Sequence, residues 1–185
     1  DRGIEELERR ARQAKVRVER VPRRELDGMS ERGAHQGVMA RAAAFSFASL
    51  GTLVAARPEP EPALIIALDH VTDPGNLGAI VRSAEVLGAA DVVVTTRRSA
   101  AITPAAWKAS AGALAHVPVA QETNLVRALR HLKEHGYWVA GASEKAAQTA
   151  WEAPLDGRIV LVMGSEGSGL SRLTAQTCDF LVRLP

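Results

Sequence analysis

Ile159-Val160-Leu161-Val162-Met163-Gly164-Ser165-Glu166-Gly167-Ser168-Gly169-Leu170-Ser171 is the stretch on which the reading of this chain turns. Ile159 to Met163 is an apolar run of buried-strand length. Three glycines follow within six residues, and a short helix is expected around Arg172 to Thr177. A strand that passes through glycines into a helix is the repeating joint of a sheet covered by helices. The same rhythm extends on both sides. Ala63 to Leu68, Asp91 to Thr95, Tyr137 to Gly141 and Phe180 to Leu184 read as further strands. Asn76 to Gly88 carries Leu77, Ile80, Val81, Ala84 and Leu87 as one stripe at helical spacing. Thr103-Pro104 opens another helix with a cap and a first-turn proline, and Asn124 to His135 is a helix closed by Gly136. Unbroken apolar strands predict an α/β fold: a mainly parallel sheet with helices on both faces.

Ahead of this region stands Arg57-Pro58-Glu59-Pro60-Glu61-Pro62, whose alternating prolines fit neither a helix nor an inner strand. It predicts a linker over 57–62, dividing a front domain, 1–56, from a sheet domain, 63–185. In the front domain Ile4 to Lys15 reads as an exposed helix, and Val16 to Val21 alternates like a half-buried strand. Gly28 to Gly37 reads as loop, and Val38 to Ala56 as a strand plus a short helix.

Of the 185 residues 46% are apolar and 24% charged, which excludes wholesale disorder. Lys and Arg number 23 against 21 acids, with 11 basic and 8 acidic side chains in residues 1–41. A mildly basic front is compatible with a nucleic-acid partner. The single cysteine, Cys178, excludes an intrachain disulfide framework and an all-cysteine zinc site, and the five histidines form no zinc-protease string. No metal site is expected. No apolar run approaches bilayer length and no signal pattern opens the chain, so a cytoplasmic protein without membrane contact is expected. Opening on Asp1 and stopping at Pro185 after a strand-like run, the chain has the look of a piece of something longer.

The glycine loop invites a dinucleotide, and its chemistry resists one. It runs Gly-x-x-Gly-x-Gly, not Gly-x-Gly-x-x-Gly, and places Glu166 where a pyrophosphate would sit. No lysine follows the glycines, so a P-loop fails too. A cationic nucleoside such as S-adenosylmethionine fits better, with a plain strand-to-helix turn as the alternative. The second constellation is Asp73-Pro74-Gly75-Asn76-Leu77-Gly78, continued through Arg82 to Glu85. Asn76 is placed as a helix N-cap. Arg82 lies about 140° from Leu77 around the helix, off the apolar stripe, free for chemistry or for an ion pair with Glu85 or Glu166.

Together these segments resemble the SpoU/TrmH family of RNA ribose 2′-O-methyltransferases, in the SPOUT class. The resemblance covers most of the region from Leu64 onward. Asn76 to Glu85 matches the family's first motif, Leu161 to Leu170 its second, and Cys178 to Pro185 the approach to its third. Residues 1–56, with Gly33-Ala34-His35-Gln36-Gly37 near their middle, resemble part of the L30e-like substrate-binding domain of the 23S rRNA guanosine members. The resemblance implies a trefoil-knot methyltransferase domain whose third, Ser-Leu-Asn-type motif lies beyond Pro185. It also implies S-adenosyl-L-methionine as cofactor, RNA as partner, and a homodimer. It assigns Arg82, Glu166 and Asn76 to catalysis, the latter two orienting Arg82 and the substrate. Gly164 and Leu184 take cofactor-binding roles through backbone groups. Competing expectations are a tRNA guanosine target and a non-catalytic RNA-binding module on the same fold.

Overall fold

The computed structural model describes residues 2–30, 35–88 and 91–184. They form two compact units, Asp1–Ala44 and Phe45–Pro185.

The first unit holds α1 (Arg2–Gln13) and α2 (Arg23–Met29). On α1, Glu6 accepts hydrogen bonds from Arg9 and Arg10, while Glu8 accepts from Arg20 at 2.8 Å. Val16 to Val21 pairs with no strand, and Val16 and Val18 are exposed. Alternation alone does not make a strand without a ladder partner, and the described residues of this unit supply none. His35 is buried; its Nδ1 accepts from the Gly37 N–H and its Nε2 lies 2.9 Å from Asp27 Oδ1. That makes it a structural histidine. Gly33 and Ala34 lie outside the described residues.

The second unit begins before the proline run rather than after it. Phe45 packs edge-on against Trp107 at 6.1 Å, Ala48 forms a parallel bridge with Ala120, and α3 (Leu50–Ala55) buries Leu50 and Leu53. The strand expected within Val38 to Ala56 is reduced to that single bridge. Residues 45–56, placed with the front domain by the linker reading, bury Leu50 and Leu53 on the sheet and leave Phe47 exposed. The prolines form a surface strap instead, tied down where Arg158 donates to the Glu61 carbonyl at 3.2 Å.

The sheet has six strands in the order β3-β2-β1-β5-β4-β6. They are β1 (Ala63–Asp69), β2 (Asp91–Thr95), β3 (Val119–Glu122), β4 (Trp138–Ala142), β5 (Arg158–Gly164) and β6 (Phe180–Val182). Every pairing is parallel, and the longest register joins β1 to β5, from Ala63–Arg158 to Asp69–Gly164. Alternate side chains leave on opposite faces. Ile66, Leu68, Val92 and Val94 pack under α4 (Pro74–Val86) and α5 (Pro104–Ala109). Ile65, Ala67, Val93, Val139 and Val160 pack against α3 and α6 (Leu125–Glu134). α7 (Arg172–Thr177) sits beside α6 and leads into β6. The expected parallel sheet with helices on both faces is what forms. Among the described residues no helix is long and apolar enough to cross a membrane.

Candidate active site

From β1 the chain moves outward to β2; from β5 it moves the other way, to β6, while β1 and β5 themselves are neighbours. In a parallel sheet this reversal leaves a crevice at the carboxyl ends of the two strands, where such folds bind ligands. The crevice is present. A cleft of about 420 Å³ is lined by His70, Asp73, Asn76 and Ile80 after β1 and by Met163 and Glu166 at β5, among others.

Its first wall is the entry to α4. Asp73 is the N-cap, its Oδ2 accepting the Asn76 N–H at 2.7 Å, and Pro74 follows in the first turn. Asn76 is therefore inside the helix and is not the cap that its residue type suggested. Asp73-Pro74 is the stronger start signal, because proline has no N–H to satisfy and its φ is already helical. Released from capping, Asn76 sends its Nδ2 across the cleft to Glu166 Oε1 at 2.6 Å. α4 can sit low on its neighbour because Gly78 has no side chain. A Cβ there would meet the Ala106 carbonyl oxygen, with Ala109 Cβ at 2.7 Å and Ser110 N at 2.9 Å.

The second wall is the glycine loop. Ser165 and Gly169 exchange backbone hydrogen bonds of 3.2 and 2.9 Å, and the Ser165 hydroxyl accepts the Ser168 N–H at 3.3 Å. This closed turn holds Glu166 and Gly167 at its tip. A Cβ on Gly164 would strike the backbone of Gly169 and Leu170, so the turn itself demands glycine there. With three of its amides bonded internally, the loop is poorly equipped to cradle phosphates. Below it, buried Asp69 joins the walls: Oδ2 accepts the Ser171 N–H at 2.6 Å, and Oδ1 lies 3.0 Å from His70 Nδ1.

The structure thus brings Asn76, Gly164 and Glu166 to one cleft and leaves two expected residues outside it. Arg82 lies six residues beyond Asn76, roughly 9 Å along α4. It is exposed and has no ion pair or side-chain hydrogen bond among the described residues. Glu166 orients toward Asn76 rather than toward Arg82. Leu184 is 78% exposed beyond β6, and β4 separates β6 from β5. His70 and Asp73 are cleft residues to which sequence reasoning gave no role, and neither did it find buried Asp69 beneath them. Only Asp73, standing before a proline, carried a local signal.

Residues 63–185 match the SpoU rRNA Methylase family, and residues 1–48 match the family described as RNA 2′-O ribose methyltransferase substrate binding. A tRNA/rRNA methyltransferase of Mycobacterium ulcerans, itself uncharacterised, is 44% identical over the whole of this chain. The chain spans 60% of that relative's length. YacO of Bacillus subtilis, assigned to the TrmH family of tRNA/rRNA methyltransferases, is 42% identical over 95% of this chain and 70% of its own. Among solved structures, the SpoU methyltransferase AviRb of Streptomyces viridochromogenes, in complex with the cofactor AdoMet, matches with a TM-score of 0.63. It is 27% identical over 69% of this chain and 50% of its own. An AdoMet-bound rRNA methyltransferase of Sinorhizobium meliloti matches with a TM-score of 0.64 at 25% identity, over 76% of this chain and 52% of its own. With its parallel sheet, its switch-point cleft and these matches along both units, the chain belongs to the SpoU/TrmH family of RNA methyltransferases.

Proposed function

We propose that the protein carrying this chain methylates a ribose 2′-hydroxyl of RNA, a guanosine of 23S rRNA, with S-adenosylmethionine as donor. It would act in the cytoplasm, in rRNA processing, as a homodimer whose trefoil knot is completed by the family's third motif. The observation that carries the reading is the Asn76–Glu166 hydrogen bond at the switch-point cleft.

The cleft's chemistry fits the donor. A loop with internally bonded amides and two carboxylates, Asp73 and Glu166, suits a cation better than a phosphate. S-adenosylmethionine supplies an activated methyl group when bound. Gly164 and Leu184 would hold it through their backbones, Leu184 in company with the third motif. The chain's own residues have to manage the hydroxyl. With Asn76 Nδ2 engaged by Glu166, Asn76 Oδ1 and Glu166 Oε2 remain as acceptors for an O–H donor. They would orient the 2′-oxygen. The oxygen would bond the methyl carbon as the carbon–sulfur bond breaks, its proton passing to Glu166 Oε2. Arg82, exposed on α4 outside the cleft and too weak a base to take that proton, would reach back along the helix to stabilise the developing negative charge. A ribose 2′-hydroxyl makes RNA the substrate, since DNA lacks it.

The test uses the full-length protein, methyl-labelled donor and transcribed 23S rRNA. Label should appear on a ribose, and a 2′-deoxy nucleotide at the mapped position should abolish it. Label on a base, or transfer to tRNA alone, overturns the corresponding part of the proposal. Tight RNA binding without transfer would mark a binding module.

A further inference from the structure

Because every ladder is parallel, the carboxyl ends of β2 and β3 open on the same edge of the sheet as the cleft. After β2 the chain runs Thr96-Arg97-Arg98-Ser99, and both arginines are exposed. The turn is braced. Thr96 N–H donates to the Glu122 carbonyl at 2.9 Å, and Thr95 Oγ1 donates to the Arg97 carbonyl at 2.7 Å. Ala100 N–H donates to the carbonyl of Val71, a wall residue of the cleft, at 2.8 Å. Arg98 is held at φ +54°, a left-handed conformation unfavourable for a side-chain-bearing residue. On the neighbouring strand end Arg127 stands in the first turn of α6, where the helix dipole disfavours a cation. Its guanidinium donates to the Thr123 hydroxyl at 3.2 Å.

None of these three arginines has an ion pair among the described residues, although Glu122 ends the intervening strand. In the front unit Arg9, Arg10, Arg12, Arg17 and Arg20 all face glutamates within the unit. Arg23, Arg24 and Arg41 of that unit have no such partner among the described residues. What sets Arg97, Arg98 and Arg127 apart is their place, on the cleft side of the sheet, at a braced turn and at an unfavourable helix position. Guanidinium forks match phosphate oxygens in geometry and charge.

We infer that Arg97, Arg98 and Arg127 form a phosphate-holding edge that seats the RNA backbone beside the cleft. This rests on the RNA reading proposed above and divides the labour within it. Asp73 and Glu166 repel phosphates from the cleft, so a strand anchored on the arginines presents its ribose edge there.

The test measures binding of the full-length protein to transcribed 23S rRNA across a salt series, with S-adenosylmethionine affinity and melting temperature beside it. The variants are Arg97→Ala with Arg98→Gly, and Arg127→Ala. Glycine is unstrained at the φ of Arg98, so the turn survives the loss of the side chain; Arg97→Glu is a second probe of charge at an unstrained position. Combined, they should weaken RNA binding about tenfold or more near 0.1 M salt and lower the log–log salt slope by about 2. S-adenosylmethionine affinity and melting temperature should stay close to those of the native protein. Native affinity and slope in the variants would overturn the inference and leave the functional reading standing. Weaker binding at an unchanged slope would also overturn it, since the lost contacts would not be to phosphates. A native protein that binds no RNA would remove both.

Discussion

Asn76 Nδ2 donates to Glu166 Oε1 at 2.6 Å across 90 positions of sequence, locking the entry of α4 to the tip of the glycine loop. Two short motifs become one site through this bond. Asn76 is free to make it because Asp73 caps the helix in its place.

Glu166→Gln retains an acceptor oxygen for Asn76 but loses the charge. Stability should stay within about 0.5 kcal/mol of native, as for other exposed positions. Methyl transfer should fall by roughly 10²-fold, the scale of losing one preorganised electrostatic group. Asn76→Asp sets two carboxylates against each other and should lose transfer more severely. Thermal melts and single-turnover rates on purified variants check both.

Arg82→Ala removes an exposed side chain with no partner among the described residues. Its melting temperature should match the native protein, while transfer drops by about 10²-fold or more and S-adenosylmethionine affinity is unchanged. A fall in melting temperature with near-normal turnover would reassign Arg82 to structure.

Gly78→Ala would drive a methyl group into the backbone of α5. A cost of about 1–3 kcal/mol is expected, as for other overpacked contacts. If α4 shifts to make room, transfer should fall further than stability alone explains, because Asn76 rides on the same helix. Denaturant titration set against kcat separates the two effects.

Asp91 starts β2 with its carboxyl buried and Oδ2 without a hydrogen-bond partner among the described residues; desolvation raises its pKa, against a smaller opposing pull from Arg57. The raised value means that the folded state holds this proton more tightly than the unfolded chain does. The benefit is present in acid and is lost as pH rises through the folded value, leaving a buried charge at neutrality. Asp91→Asn should therefore match or exceed native stability at pH 7. Its advantage should shrink as pH falls toward the ordinary aspartate range. Melting curves of the two proteins from pH 4 to 8 check the sign.

Much of the fold was legible because β1 and β5 are covered on both faces, which makes Ala63 to Leu68 and Ile159 to Met163 continuous apolar runs. β3 was not, since Val119-Ala120-Gln121-Glu122 is short and half polar at the sheet's edge. Val16 to Val21 had the right alternation but no partner strand among the described residues. The two compact units divide at residue 45, ahead of the prolines, because prolines report local stiffness, whereas Phe45, Leu50 and Leu53 answer to a sheet face formed by distant residues. Motif chemistry picked out Asn76 and Glu166 separately. Their contact follows from β5 lying beside β1, a fact of strand order that no local pattern encodes.

That strand order also constrains how the chain is built. β1 meets β5 only after some 90 residues of intervening chain, and β5 then inserts between β1 and β4. During synthesis β1 can pair with β2 while its other edge stays open through the making of β3, α6 and β4. An open apolar edge is a template for another chain. Contacts of such long range close late and slowly. The nascent protein therefore passes through an interval in which its central strand is its stickiest surface, and the cleft does not exist until that interval ends.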